Sequence, residues 1–142
     1  MLMIAVGAII QDNDGRILLV KHIPERGGFW QKKWICPGGE LQSEETVEEG
    51  IKREVKEETQ LDIELTTPLP PFGTIFRLSE KDILHVVYVD YIARLTGGKL
   101  KPGSDIGEAI WLEKERLPSI WDDLHEDTKR LLQIAKIVGN VN

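Results

Sequence analysis

Arg53, Glu54, Glu57 and Glu58 fall within the six residues Arg53-Glu54-Val55-Lys56-Glu57-Glu58. A helix of about 3.6 residues per turn brings positions i, i+3 and i+4 to one side. Glu54, Glu57 and Glu58 then project three carboxylates into one patch, which repels itself at neutral pH unless cations neutralise it. The plain alternative is a solvated acidic face paired with Lys52, Arg53 and Lys56. The functional one is an oxygen-ligand site for a hard divalent ion, Mg2+ above all.

The surrounding sequence favours a helix there. Ser43 is a candidate N-cap, and Glu44 and Glu45 suit the positive end of the helix dipole. Val47, Ile51 and Val55 recur every four residues as an apolar stripe, and the helix should end near Thr59. Gly50 inside it costs about 1 kcal/mol relative to alanine, which points to close packing at that turn.

Around this helix the chain reads mainly as strands. Met3–Ile10 is an apolar β-rich run, Asn13-Asp14-Gly15 signals a hairpin turn, and Arg16–Lys21 returns. Residues 22–33 read as a loop, broken by Pro24 and the Gly27-Gly28 pair. Trp34-Ile35-Cys36 is a short apolar segment stopping at Pro37-Gly38-Gly39. Leu61–Leu65, Phe72–Leu78, Ile83–Leu95 and Ala109–Leu112 are strand-like; Pro68–Pro71 is a loop and Gly97-Gly98 a turn. Trp121–Val138 is predicted as a closing amphipathic helix. Strands, helix, strands, helix describe an α/β chain: one mixed β-sheet between helices, in a single domain over residues 1–142.

Composition narrows the function classes. The 142 residues carry a net charge of -6, which argues against polymeric nucleic acid and anionic membrane as partners. A small anionic substrate remains compatible, because a bound metal reverses the local sign. Cys36 is the only cysteine, so no intramolecular disulfide forms, in keeping with a reducing cytoplasm. The apolar N-terminus lacks a basic flank and reads as a buried strand, and no apolar run reaches the roughly 20 residues of a membrane span.

The stretch Gly39–Leu61 resembles the signature box of the Nudix hydrolase family. That pattern is a glycine, a glutamate after five residues, then seven residues later an Arg-Glu-aliphatic triplet, a Glu-Glu pair one residue on, and a closing glycine–aliphatic pair. Gly39, Glu45, Arg53-Glu54-Val55, Glu57-Glu58 and Leu61 fill eight of the nine specified positions. Gln60 stands where the family has glycine, so a slightly altered helix exit is expected. Pro37-Gly38-Gly39 matches the family's lead-in.

The resemblance implies a Nudix-type α/β/α sandwich. It implies that the Gly39 carbonyl and Glu54, Glu57 and Glu58 hold Mg2+, with Mn2+ as a substitute. It implies catalytic roles for Glu57, Glu58, Arg53 and Glu45: one glutamate as general base, Arg53 bracing a carboxylate, and Glu45 either orienting Arg53 or reaching the metals through water. Related enzymes often place a further acid outside the box, and Asp105 and Glu108 are the candidates. The reaction class is hydrolysis of a phosphoanhydride in a small nucleotide.

Other residues are weaker candidates. Phe29 and Trp30 lie in the loop beside the expected cleft and are placed to stack on a nucleobase. Arg26 and Arg77 are candidate phosphate contacts. Trp34 and Trp111 read as core, Cys36 as a small buried hydrophobe, and His22 and His85 as isolated.

The box says little about the leaving group. The ADP-ribose-type proline is absent, with Arg77 in its neighbourhood. Tyr88 and Tyr91 come too late for the diadenosine-polyphosphate type. The expectation is a nucleoside triphosphate pyrophosphohydrolase, similar to MutT-like enzymes, with pyrophosphatase action on ADP-ribose or another nucleoside diphosphate derivative as the alternative. Isopentenyl-diphosphate isomerase chemistry and a non-catalytic nucleotide sensor fit less well: the first needs a placed cysteine, the second usually lacks box glutamates. A homodimer is compatible with the sequence.

Overall fold

The structure is a computed structural model that describes residues 1–26 and 32–138. Its organising element is β1 (Leu2–Gln11), an apolar strand whose two faces are both buried. The turn at residues 12–16 returns the chain as β2 (Ile17–His22), held by Asp12, which accepts from the backbone N–H groups of Asp14 and Arg16. β1 and β2 pair only at Gln11↔Ile17 and then separate. The edge of β1 released by this divergence is taken by β3 (Gly38–Glu40), with Val6↔Gly39 and Gly7↔Gly38 in register. The Pro-Gly-Gly lead-in is therefore a short strand, not only a turn.

α1 (Val47–Thr59) follows, then β4 (Leu61–Pro68), β5 (Phe72–Arg77), the long β6 (Ile83–Gly98), β7 (Ile106–Leu112) and α2 (Glu126–Ile134). The main path of the seven-stranded sheet is β4-β6-β1-β2-β7, with β3 on β1 and β5 on β6. β1 and β6 run parallel from Leu2↔His85 to Gln11↔Arg94, while the other pairings are antiparallel. On its other edge β6 takes β5 along its first half and β4 along its second.

Alternation along β1 and β2 divides the core into two layers. Val6, Ala8, Ile10, Leu18 and Val20 pack with Ile51 and Val55 of α1. Ile9, Ile17 and Leu19 pack on the opposite side with Leu131 and Leu132 of α2 and with Leu117 and Trp121. This is the α/β/α arrangement expected from the order of elements. No helix among the described residues is long and apolar enough to cross a membrane.

Both helices begin later than the sequence pattern suggests. Thr46, not Ser43, caps α1: its side chain accepts from the Glu49 N–H while the Glu49 carboxylate accepts from the Thr46 N–H. This reciprocal pair satisfies two orphan donors, which a lone serine three residues earlier does not. At the other end, Gln60 takes the left-handed conformation (φ 65°) that glycine would supply, and its N–H donates to the Lys56 carbonyl. Gln60 thus ends the helix in a conformation that glycine favours, at a backbone cost of about 1 kcal/mol.

The closing helix is shorter still. Pro118 cannot donate to a helical ladder, and Lys114–Asp123 is a 3-10 segment. α2 starts only at Glu126, behind a His125 cap.

Candidate active site

The divergence of β1 and β2 places β3 beside the C-terminal half of α1, and a cavity of about 290 Å³ opens there. Its lining includes Gly38, Gly39, Glu54, Glu57 and Glu58 from β3 and α1, and Phe72, Tyr88, Asp90, Asp127 and Thr128 from β5, β6 and α2. Gly38 has to be glycine: a Cβ there would lie 2.3 Å from the Val6 carbonyl oxygen. At Gly39 a Cβ would lie 2.5 Å from the Glu54 carboxylate, so the missing side chain makes room for that group.

Glu58 is buried, and Oε1 accepts from the Gly38 N–H at 2.9 Å. Burial pushes its carboxyl up to about 8; the Gly38 hydrogen bond opposes that shift and the nearby Glu54 adds to it. Glu54 is likewise pushed up, first by burial, against the pull of Arg53. Two acids in one cavity thus resist ionisation, with burial the first cause for each, and a cation bound beside them would favour their charged forms.

Arg53 supplies part of that positive charge. Its guanidinium donates to both Glu45 oxygens at 2.8 and 2.7 Å, to Glu54 at 2.8 Å, to Glu57 at 3.3 Å and to the Glu40 carbonyl at 3.1 Å. Glu45 lies just outside α1, and its hydrogen bonds from Arg53 and the Gln42 N–H hold it down to about 2. Leu41 and the Glu45 carboxylate crowd Gly50, where a Cβ would meet them at 2.8 and 3.0 Å. The helical glycine thus gives Glu45 the space to reach Arg53.

The chemistry of the donors fits a hard divalent ion. Glu54, Glu57, Glu58 and the Gly39 carbonyl offer oxygen only, and all four residues border one cavity. Among the described residues, however, no three acidic, histidine or cysteine side chains already converge into a cage. Glu54 and Glu57 are turned to Arg53 instead.

The remaining candidates divide. Asp105 and Arg26 both line the cavity and pair with each other at 3.1 Å. Glu108 sits opposite Lys21 in the β2–β7 ladder and borders a separate shallow depression. Arg77 ends β5 outside the cavity, donating to the Glu80 carbonyl at 3.4 Å. Phe29 and Trp30 lie outside the described residues. Trp34 packs against the α2-side core with Lys21 over its ring at 4.6 Å, and burial pushes the free Cys36 thiol up.

Sequence reasoning missed the far end of the cavity. Tyr88 stacks on Phe72 with ring centroids 4.9 Å apart, and its hydroxyl donates to Asp127. Thr74 donates to the same carboxylate at 2.9 Å. Asp90, on the same strand as Tyr88, is buried on the cavity wall. The signal was present: Asp90 is the one acid in the apolar run Ile83–Leu95, and a buried acid seldom occurs without a task.

The fold is thus a mixed sheet between helices that opens onto a cavity lined by helix carboxylates and a glycine strand. The model of the NUDIX domain matches residues 1–133, and the chain belongs to the Nudix family. It is similar to an ADP-ribose pyrophosphatase of Methanocaldococcus jannaschii, at 36% identity over 87% of this chain and 68% of the relative. It is also similar to the nucleoside triphosphatase NudI of Escherichia coli, at 27% identity over 89% of this chain and 92% of the relative. Among solved structures, a MutT NUDIX hydrolase from Burkholderia pseudomallei superposes with a TM-score of 0.75 at 25% identity, covering 94% of this chain and 98% of that one. The chain is accordingly a hydrolase of phosphorus-containing anhydrides.

Proposed function

We propose that the protein is a Mg2+-dependent nucleoside triphosphate pyrophosphohydrolase, with Mn2+ able to replace Mg2+. The single observation that carries this is the acid-lined end of the cavity: Glu54, Glu57 and Glu58 gathered against Gly38-Gly39, with two of them resisting ionisation. When bound, a divalent ion neutralises diphosphate oxygens and makes water a stronger nucleophile. Glu54, Glu57, Glu58 and the Gly39 carbonyl are the groups that would hold it.

The chain's own residues have distinct tasks in this reading. Arg53 fixes the rotamers of Glu54 and Glu57 and is itself fixed by Glu45. Glu57, half exposed at the mouth, and Glu58, on the Gly38 N–H, are the two groups placed to take a proton from the attacking water. Arg26 is placed to meet phosphate once it leaves Asp105. In this reading the nucleoside points away from the α1 glutamates, toward Tyr88 and Asp90. A cavity of about 290 Å³ suits one nucleoside with its phosphates at the mouth.

A second reading is hydrolysis of ADP-ribose or a similar nucleoside diphosphate derivative, favoured by the 36% identity with the Methanocaldococcus jannaschii enzyme. Product analysis separates them. With Mg2+ present, a nucleoside triphosphate should yield the monophosphate and pyrophosphate. The second reading instead predicts AMP and ribose 5-phosphate from ADP-ribose, at the higher kcat/KM of the two substrates. Loss of nothing but a terminal phosphate would defeat the first reading.

A further inference from the structure

Asp90 lies in the middle of β6 and is 7% exposed, yet its carboxyl carries out no structural task. Among the described residues it takes part in no hydrogen bond or ion pair, whereas the buried Asp127 has two hydroxyl donors. Burial is the sole cause of its upward shift, and no charged side chain contributes, which sets it apart from the glutamate cluster.

The backbone makes room for this group. Gly7 is the register partner of Asp90 on β1, and a Cβ at Gly7 would lie 2.8 Å from Asp90 Oδ1 and 2.7 Å from the Pro37 carbonyl. The carboxyl therefore lies across the bare Gly7 backbone, on the wall of the cavity. Burying an unpaired carboxyl costs stability, and such groups persist where a ligand completes them.

Resting on the nucleotide reading above, we propose that Asp90 is a specificity-determining residue whose carboxyl hydrogen-bonds the N–H-bearing edge of the substrate's nucleobase. Three features select that partner. Asp90 lines the cavity from β6 and the glutamates line it from α1, so the wall that carries Asp90 is left to the non-phosphate part of the substrate. The flat aromatic pair Phe72–Tyr88 lines the same cavity, Tyr88 from the same strand as Asp90, and suits a planar ring. A carboxyl that accepts hydrogen bonds from ring N–H and amino groups is favoured in its ionised form, which repels phosphate. A polar group that is completed only by the right edge discriminates strongly, since the wrong edge leaves it unpaired in the interior.

The test is steady-state kinetics with Mg2+ on triphosphates differing only in the base, for the wild type, Asp90→Asn and Asp90→Ala. The wild type should prefer one or two bases. Asp90→Ala should raise KM for the preferred base about tenfold to a hundredfold and bring the kcat/KM ratios between bases toward one. Asp90→Asn, which exchanges an acceptor for a mixed donor and acceptor at constant shape, should reorder the preference. Both variants are checked for folding by thermal melting, and either one carries the test. A uniform change across all bases in a folded variant, or no change, overturns the assignment. If the wild type hydrolyses no nucleotide in the panel, the functional reading fails first and this inference falls with it, a result distinct from active enzyme with unaltered base preference.

Discussion

Glu58 on the α1 side of the cavity and Asp127 on the α2 side are both buried acids, and the fold treats them in opposite ways. At the α2 end, Asp127 is saturated: Tyr88 and Thr74 donate to its carboxylate, and the residue opens a helix, where negative charge is favoured. That end is a clamp holding α2 to β5 and β6. At the α1 end, the Arg53 guanidinium serves Glu45, Glu54 and Glu57, while Glu58 accepts from the Gly38 N–H and feels Arg26 only through space. That end is left short of positive charge. The difference separates an acid that supports the fold from acids held in readiness for a ligand.

The largest effect expected from breaking this contrast is on turnover. Glu58→Gln should lower kcat by about 10²–10⁴-fold with Mg2+, while the melting temperature of the metal-free protein stays level or rises near pH 8. The rise is expected because an amide removes an acid that burial already disfavours in its charged form. A variant that unfolds, or that turns over normally, would place Glu58 with Asp127 as a structural acid.

Arg53→Ala should damage both properties. It strands Glu45, which is held strongly ionised, beside two partly buried glutamates. The cost should be about 2 kcal/mol, between the values for exposed and buried pairs, together with loss of activity. Arg53→Lys should recover little of either, because one ammonium cannot span two Glu45 oxygens, Glu54, Glu57 and the Glu40 carbonyl. Denaturant melts and kcat measured together would check both parts.

These outcomes also show what the sequence made legible. The acid cluster was readable because helical spacing is local: Arg53, Glu54, Glu57 and Glu58 share a face by periodicity alone. The α2-end clamp was not, because Thr74, Tyr88 and Asp127 meet only through the β5–β6 ladder and the docking of α2. The same limit explains Asp105 and Glu108. Close in sequence, they part because Asp105 lies ahead of β7 and pairs with Arg26, while Glu108 lies within the strand, across from Lys21. Strand existence was legible from apolar runs, but the short β3 was not, since Gly38-Gly39 carries no strand signal of its own. The helix starts were missed because a capping box and a 3-10 segment outweighed the amphipathic pattern.

Asp90 sharpens the comparison through pH. Its carboxyl is pushed from an ordinary 3.8 up to about 7 by burial. The folded protein thus keeps a proton that the unfolded chain gives up, and the stability tied to this group is full below about pH 4 and lost as pH rises through 7. The Cys36 thiol beside it stays protonated over this range and adds no slope. Asp90→Asn should therefore melt higher than the wild type at pH 8, by a margin on the order of 3 kcal/mol, and the gap should shrink toward pH 4. Equal melting of the two proteins at pH 8 would mean that the carboxyl is already paired in the folded state.

The smallest effect belongs to the clamp itself. Thr74→Val keeps the shape of the side chain and removes one donor to Asp127. Tyr88 and the helix N-terminus remain, so the carboxylate is not orphaned, and the loss should be about 1 kcal/mol, read as a drop of a few degrees in melting temperature. Thr74 touches none of the glutamates that line the α1 end, so kcat should stay within about twofold of the wild type. If the substitution instead lowers kcat by an order of magnitude at unchanged stability, the division between a supporting and a reactive end is wrong. The hydrogen bonds at α2 would then control the position of the substrate, and Asp127 would join Asp90 in contacting it.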